Sequence, residues 1–256
     1  MIKFHVLASS SKGNSMLIES EKTRILVDCG ISCKRICTAL ENIAADPKTV
    51  DAILITHEHS DHISGLRVFS SKYHTPVYSG EATLKCLSAP GSDMIPVSNG
   101  REFAVGDITV TPFDLPHDAA QPLGYMFMHK KRKFAVATDM GRLLRDIAYI
   151  LKDSNFVFIE SNHDKEMLMN GGYPYPLKQR ITGAYGHLSN EQCAKLITAL
   201  AREGTKRFML GHLSLNNNTP SIAYETNAAA LRENGFSDET ELKVACGETP
   251  SEVVYI

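Results

Sequence analysis

The stretch Ile53-Leu54-Ile55-Thr56-His57-Glu58-His59-Ser60-Asp61-His62 decides how the rest of the chain is interpreted. Its apolar, β-branched start predicts the end of a buried strand, and four potential metal ligands follow directly. His57 and His59 fall on one side of an extended segment, because side chains alternate with a period of two, so both imidazoles can reach one cation. A turn into a helix would direct Asp61 and His62 towards a second cation, as in two-metal hydrolases.

The alternative interpretation of this stretch is a polar loop that is rich in histidine by chance. A metal loop requires partners, because sites closed by one loop alone are rare in a chain of this size. His117, Asp139 and His212 each stand just past a predicted strand, where such partners are expected. Asp28 also ends a predicted strand, and we expect it to orient a ligand rather than to coordinate.

Hydrophobic periodicity predicts a chain in which strands and helices alternate. Strands are predicted at 3–8, 15–19, 24–28, 52–56, 76–79, 102–105, 108–113, 123–129, 133–137, 155–160, 207–210 and 242–246. Helices are predicted at 32–45, 63–73, 81–87, 142–152, 191–202 and 220–234, and a loop at 173–176. No linker or repeat interrupts this order, which predicts a single domain over residues 1–256.

Composition sets broad limits on location and partners. The net charge of −2 gives no global attraction to nucleic acid, and the first residues lack the apolar stretch of a signal peptide. No run approaches membrane-spanning length, and the six cysteines form no C-x-x-C pair. We therefore expect a soluble cytoplasmic protein with reduced thiols. Cys29, Cys33 and Cys37 would line one helix face, either as buried packing residues or as a soft-metal site.

The ordered set of Asp28, the His57 to His62 motif, His117, Asp139 and His212 resembles the metallo-β-lactamase superfamily. The resemblance implies a four-layer αββα sandwich, in which two mixed β-sheets are flanked by helices. It implies that His57, His59 and His117 hold a first metal ion and that Asp139 bridges to a second. The second ion would be held by Asp61, His62 and His212. Ligands that are all nitrogen and oxygen fit Zn²⁺ or Mn²⁺, with Fe²⁺ as a further candidate.

Within the superfamily, several shorter motifs resemble the WalJ (YycJ-like) exonuclease group. They are the loop 9–15, His117-Asp118, the run 160–164, the run 186–190 and His212-Leu213-Ser214 with the asparagines that follow. The loop 9–15 departs from the group, which more usually carries a glycine between its serines. The resemblance implies a 5′ to 3′ exonuclease that acts on DNA rather than RNA, through a hydroxide activated by two metal ions.

The chemistry of phosphodiester cleavage suggests roles for further residues. Asp61 and Asp139 would orient and deprotonate the attacking water, and His187 would act as general acid or phosphate contact. His187 could instead pack against the helix that it precedes. We expect His163, Arg180 and Asn217 near the substrate, although His163 could be a structural strand-end residue and Arg180 part of a solvated helix face.

Three other functions remain open at the level of sequence. The same metal core could hydrolyse small phosphodiesters, or thiolesters and lactams, because it also polarises carbonyl groups. RNA maturation is disfavoured, since the 21 residues between His117 and Asp139 leave no room for an inserted domain. A metal-stabilised binding scaffold without activity is the outside case, and the presence of all seven ligands argues against it.

Overall fold

The strands of this protein are short, and those at Gly13–Glu19, Ala52–Leu54 and Phe156–Glu160 are buried along their whole length. The structure is a computed structural model that describes residues 1–245 and 247–256. Within these residues two mixed sheets of seven strands each are flanked by helices. The predicted fold class of two mixed β-sheets with flanking helices is therefore confirmed.

The elements are numbered here in chain order. The strands are β1 (Lys3–Ser10), β2 (Gly13–Glu19), β3 (Arg24–Val27), β4 (Ala52–Leu54), β5 (Val77–Gly80), β6 (Met94–Val97), β7 (Phe103–Val105), β8 (Ile108–Asp114), β9 (Leu123–His129), β10 (Arg132–Ala137), β11 (Phe156–Glu160), β12 (Arg207–Gly211), β13 (Glu241–Val244) and β14 (Val254–Tyr255). The helices are α1 (Cys33–Asn42), α2 (Ser60–Ile63), α3 (Leu66–Tyr73), α4 (Glu81–Cys86), α5 (Arg145–Leu151), α6 (Lys165–Asn170), α7 (Tyr175–Thr182), α8 (Asn190–Arg202) and α9 (Pro220–Glu233), with a 3₁₀ turn at Pro47–Thr49.

The contacts of the chain divide it into two compact units. The first unit comprises Met1–Asp114, Ala119–Lys130 and Glu248–Ile256, and the second comprises Leu115–Asp118 and Lys131–Gly247. A single domain over residues 1–256 stays a prediction. No helix in the described part of the chain combines the length and the apolar character needed to cross a membrane.

The first unit is built on a sheet whose strands run in the order β14-β1-β2-β3-β4-β5-β6. The strands from β1 to β3 pair antiparallel, and those from β3 to β6 pair parallel. Ile36 and Leu40 of α1 and Phe69 of α3 are fully buried in the core of this unit, where Cys29 and Cys33 also lie. Because β3 and β4 are parallel, their carboxyl ends bring Asp28 and the stretch after Leu54 to one edge.

The second unit contains four parallel strands in the order β10-β11-β12-β13. β11, with the sequence FVFIE, is buried at all five positions, as expected for a strand that is covered on both faces. Asp139 follows β10, Glu160 ends β11 and His212 follows β12. Neighbouring parallel strands end at the same edge of a sheet, so the fold of this unit places these three side chains together.

The structure differs from the sequence-based prediction in a few elements. The helix predicted at 63–73 is interrupted at Gly65, whose N–H donates to the Cys29 carbonyl at 2.8 Å. The prediction of a loop at 173–176 is wrong for its last two residues, because α7 begins at Tyr175. Pro176 lies in the first turn of this helix, where proline is favoured. The strands β6 and β14 and the helix α6 were not predicted. The strand predicted at 242–246 is Glu241–Val244, and Cys246 lies outside the described residues.

Candidate metal centre

In the first unit the ligand loop packs three imidazoles against one another. The ring centroids of His57 and His59 are 4.5 Å apart, and those of His57 and His62 are 4.1 Å apart. Asp61 Oδ2 lies 3.5 Å from Nε2 of His62. His57 and His62 are buried, whereas His59 and Asp61 are partly open to solvent. The loop therefore presents possible metal-ligand atoms of His59 and Asp61 to solvent, next to the buried imidazoles of His57 and His62.

Asp28 and Thr56 form the buried support of this loop. Nδ1 of His62 is 2.8 Å from Asp28 Oδ2, and the Thr56 N–H donates to Asp28 Oδ1 at 2.8 Å. The Thr56 hydroxyl donates to the same carboxylate and lies 3.0 Å from Nδ1 of His57. Since a carboxylate only accepts, the proton of His62 is on Nδ1, and the engaged Thr56 hydroxyl accepts from Nδ1 of His57. Nε2 of each ring is thereby left as the ligand atom.

The electrostatics of Asp28 depend on this contact. Burial raises the pKa of the Asp28 carboxyl, and the neighbouring His62 acts in the opposite direction, together with the hydrogen bonds from His62 and Thr56. The carboxylate is fully buried, so only these donors offset the cost of its charge. The geometry matches a carboxylate that orients an imidazole.

Gly30 allows the backbone before α1 to lie directly against the ligand loop. A Cβ at this position would be 1.7 Å from the Asp61 carbonyl oxygen and 2.6 Å from the Asn14 nitrogen. The Gly30 N–H donates to the Asn14 carbonyl at 2.7 Å, and the Asn14 side-chain amide lies 3.3 Å from Nε2 of His62. No side chain fits between these two backbone segments.

We therefore expect Gly30→Ala to displace the ligand loop. The new Cβ meets rigid backbone, so the free energy of unfolding should fall by about 1–3 kcal/mol, and metal content should fall with it. Urea unfolding and metal analysis of the purified variant measure the two effects. Gly172→Ala is the matched control, because a Cβ at Gly172 meets nothing within 4 Å. Equal stability and metal content in the two variants would contradict this account of Gly30.

In the second unit the three strand ends form one buried cluster with His187. Asp139 Oδ1 lies 3.4 Å from Nε2 of His212, 3.5 Å from Nδ1 of His187 and 3.8 Å from Nε2 of His117. Glu160 Oε2 lies 3.2 Å from Nδ1 of His187 and 3.7 Å from Nδ1 of His212. Asp139 thus lies among three imidazoles, and Glu160 contacts two of them.

The orientation of His117 is fixed by a backbone acceptor. Its Nδ1 lies 3.0 Å from the Gly186 carbonyl oxygen, so Nδ1 carries the proton and Nε2 is the ligand atom. Burial lowers the pKa of His117, and nearby Asp139 opposes this only in part. A neutral imidazole is the form that binds a metal ion.

Glu160 and His187 have a different arrangement. Glu160 Oε1 accepts from the backbone N–H groups of Met140 at 2.6 Å and Leu188 at 3.0 Å, which fixes the carboxylate. Because Nδ1 of His187 is directed at Glu160, Nε2 is the nitrogen left for a substrate. His187 is also partly open to solvent, whereas Glu160 is fully buried.

Three residues of these clusters have left-handed backbone. The φ angle is +59° at Asp28, +64° at Asp139 and +53° at His212. Apart from glycine, Asp, Asn and His are the residues most often found in this conformation. In all three cases the chain turns sharply as it leaves a strand, which directs the side chain at the strand end into the cluster.

The remaining predicted residues lie in the second unit, outside the cluster itself. His163 and Asn217 are each 1% exposed, and burial lowers the pKa of His163 to about 4. Arg180 is exposed and pairs with Asp118 through two hydrogen bonds, one of them 3.0 Å long. Contact of these three residues with a substrate stays a prediction, and a buried His163 or Asn217 would reach a bound strand only if the surrounding chain moved.

Three residues of the site were missed at the level of sequence. Glu160 was seen only as part of a polar strand end, although an ionisable residue that closes an apolar strand is the same signal that identified Asp139. Thr56 acts through a hydrogen bond to Nδ1 of His57, and Asn14 packs beside the His62 ring; such contacts depend on folding rather than on spacing.

The chemistry of the donors tests whether these residues fit a metal ion. One ligand atom from each of Asp139, Glu160, His187 and His212 lies within 4.8 Å of the others. These donors, like those of the first unit, are imidazole nitrogens and carboxylate oxygens, which suit Zn²⁺, Mn²⁺ and Fe²⁺. The clusters are therefore candidate metal-binding sites, and their residues fit a divalent cation.

Comparisons with known proteins agree with the fold. The exodeoxyribonuclease WalJ of Streptococcus pneumoniae is 38% identical over 94% of this chain and 93% of that protein. The exodeoxyribonuclease YycJ of Bacillus anthracis is 36% identical over 100% of this chain and 99% of that protein. The crystal structure of YhfI from Bacillus subtilis, a metallo-β-lactamase fold protein, has a TM-score of 0.74 at 15% identity and covers 98% of this chain and 100% of its own, a likeness of fold alone.

The family itself is identified by a domain match that spans most of the chain. The family described as the beta-lactamase superfamily domain matches residues 23–213, which include every predicted metal ligand from His57 to His212. Together with the two relatives aligned over nearly their full length, this match establishes membership. The chain belongs to the β-lactamase superfamily and has the metallo-β-lactamase fold.

Proposed function

We propose that this protein is a metal-dependent phosphodiester hydrolase that degrades DNA exonucleolytically from the 5′ end. One observation carries the proposal: the chain aligns over nearly its full length with two exodeoxyribonucleases and carries both His/Asp ligand sets. DNA is then the expected partner, and the cytoplasm the expected location.

The site residues are assigned as the family resemblance implies. His57, His59 and His117 would hold one divalent ion, Asp61, His62 and His212 would hold the other, and Asp139 would be a ligand shared by both. Zn²⁺ and Mn²⁺ are the proposed metals, with Fe²⁺ as the further candidate, because all ligand atoms are nitrogen or oxygen. When bound, such ions supply charge that stabilises a phosphoryl group under attack and lower the pKa of water.

The chain's own residues then supply orientation and proton transfer. Asp61 orients the attacking water and removes its proton, as the oxygen of the water forms a bond to phosphorus. The bond from phosphorus to O3′ of the terminal nucleotide breaks on the opposite side. Nε2 of His187 donates a proton to that oxygen, and Glu160 holds His187 in position through Nδ1. A nucleotide and a shortened strand with a 5′-phosphate result.

Asp28 and Thr56 contribute by holding the imidazoles rather than by contacting substrate. The hydrogen bonds to Nδ1 of His62 and Nδ1 of His57 keep each ring in one tautomer. A ring fixed in this way presents Nε2 without a further change of rotamer or protonation. The proposed roles therefore separate the residues that act on substrate from those that position ligands.

The experiment that tests the function uses 5′-labelled single- and double-stranded DNA and RNA. Metal-free protein is refilled with Mn²⁺ or Zn²⁺ and compared with Asp61→Ala and with the control Asp93→Ala, an exposed carboxylate outside the clusters. We expect release of labelled mononucleotide from DNA by the wild type and the control, and none by Asp61→Ala.

Other outcomes would redirect the assignment. RNA degraded in preference to DNA would make the enzyme a ribonuclease. Intact nucleic acid with two ions bound per chain would shift the assignment to small phosphodiesters or to thiolesters and lactams. Inactivity on all of these substrates, with both ions bound, would support a binding scaffold.

A further inference from the structure

The segment that leads into His187 is attached to His117 and Asp118 at two successive residues, Tyr185 and Gly186. The Asp118 N–H donates to the Tyr185 carbonyl oxygen at 3.1 Å, and Nδ1 of His117 donates to the Gly186 carbonyl oxygen at 3.0 Å. Tyr185 is two residues from His187 in the sequence. Its backbone is therefore bound to Asp118, the residue that follows His117 of the cluster.

This segment is also closely packed. A Cβ at Gly141 would lie 2.5 Å from the Tyr185 nitrogen and 2.4 Å from the Gly186 nitrogen. A Cβ at Gly186 would lie 2.1 Å from the Ile181 carbonyl oxygen. Because backbone segments approach this closely, the backbone at Tyr185 can move little, and the position of its Cα is fixed.

The Tyr185 side chain is nevertheless directed to solvent. The residue is 55% exposed, and the guanidinium carbon of Arg142 lies 5.4 Å from the ring centroid. An aromatic ring has two faces, and a single guanidinium covers one of them. A large apolar surface, backed by a positive charge, thus remains open beside the cluster.

The helix before Tyr185 carries two cations, one of which is paired with a carboxylate. No residue of α7 is buried, and its charged side chains are Lys178 and Arg180. Lys178 Nζ donates to the Met169 carbonyl oxygen at 2.7 Å, and Arg180 pairs with Asp118. Neither cation packs against a hydrophobic core, because no residue of this helix is buried. A polyanion that carries flat aromatic groups complements this combination of cations and an open ring.

We propose that Tyr185 is a stacking subsite for one of the two nucleobases that flank the scissile phosphate, with Arg142 contacting the neighbouring phosphate. The proposal rests on the proposed nuclease function and adds a place for the base. Every base has a π-face, so stacking on tyrosine binds a strand end without selecting its sequence. An exonuclease that removes successive nucleotides needs such tolerance.

The first test compares Tyr185→Ala, Tyr185→Phe and Tyr149→Ala on single-stranded DNA. Tyr149 is the matched control, because it is also exposed and also has a cation, Lys152, over its ring at 4.1 Å. We expect Tyr185→Ala to raise KM roughly tenfold with little change in kcat, and the other two variants to match the wild type. A pure loss of fold would instead lower the active fraction and kcat.

The second test removes the base rather than the ring. Oligonucleotides with an abasic site at the first or the second nucleotide are digested by the wild type and by Tyr185→Ala. If the base stacks on Tyr185, one abasic position should raise the KM of the wild type by a similar factor but leave the KM of Tyr185→Ala unchanged. Additive losses from the two changes would overturn the stacking contact.

The two proposals can fail separately in these assays. Wild-type protein that leaves DNA intact overturns the nuclease function itself. Wild-type protein that digests DNA, together with a Tyr185→Ala variant of unchanged KM, overturns the subsite alone. Binding of metal-free protein to the same oligonucleotides, followed by fluorescence anisotropy, gives a further readout that does not depend on turnover, and Tyr185→Ala should bind more weakly there.

Discussion

Replacing His187 with alanine should lower kcat by roughly 10²–10⁴-fold, the usual contribution of a general acid or base. The physical reason is the direction of its Nδ1, which lies 3.2 Å from Glu160 and leaves Nε2 to protonate the departing oxygen. Metal content should be preserved, because His187 is not one of the seven assigned ligands. Turnover of labelled DNA and metal analysis on the same preparation measure both quantities.

Two further measurements separate proton donation from simple structural damage. Added imidazole should restore part of the activity of His187→Ala, since a small donor can enter the space that the side chain leaves. His74→Asn is the control, because His74 is exposed and asparagine tolerates its left-handed φ of +56°. Loss of a metal ion from His187→Ala would make this residue a ligand, and unchanged turnover would remove it from the mechanism.

The sequence predicts where the proposed ligands lie because each one follows a predicted strand. Parallel strands bring their carboxyl ends to one edge, so the local signal at Asp139 and at His212 already implied that they would meet. The parallel strands β10 and β12, which lie on either side of β11, do bring Asp139 and His212 into one cluster. Hydrophobic periodicity also located most of the elements, since long buried runs leave few alternatives.

What the sequence could not supply depends on contacts between distant segments. Glu160 acquires its role from backbone donors at Met140 and Leu188, which no local pattern reveals. The sequence around Tyr185 has no pattern that distinguishes it from other loop tyrosines, and its position near the cluster follows from the hydrogen bond between its carbonyl oxygen and the Asp118 N–H. The helix α7 was missed because it has no buried face, and periodicity detects only helices that do.

Removing the carboxylate of Asp28 should have the largest effect on stability of any change considered. In Asp28→Ala, His62 and both the N–H and the hydroxyl of Thr56 lose a buried acceptor. Breaking such a buried pair from one side typically costs about 3–5 kcal/mol. Alanine is also disfavoured at the left-handed φ of +59° that Asp28 adopts. Urea unfolding of metal-free protein measures this loss without the contribution of metal binding.

Asp28→Asn separates the charge of this residue from its shape. Asparagine tolerates the left-handed backbone and keeps one acceptor oxygen, so most of the stability should be retained. The negative charge that makes His62 a stronger ligand is lost, and metal affinity should fall roughly 10- to 100-fold, as for other carboxylates that support a ligating histidine. Competition with a chelator measures this affinity. If Asp28→Asn bound metal as tightly as the wild type, the carboxylate would serve the fold alone, and the positioning of His62 would rest on hydrogen-bond geometry rather than on charge.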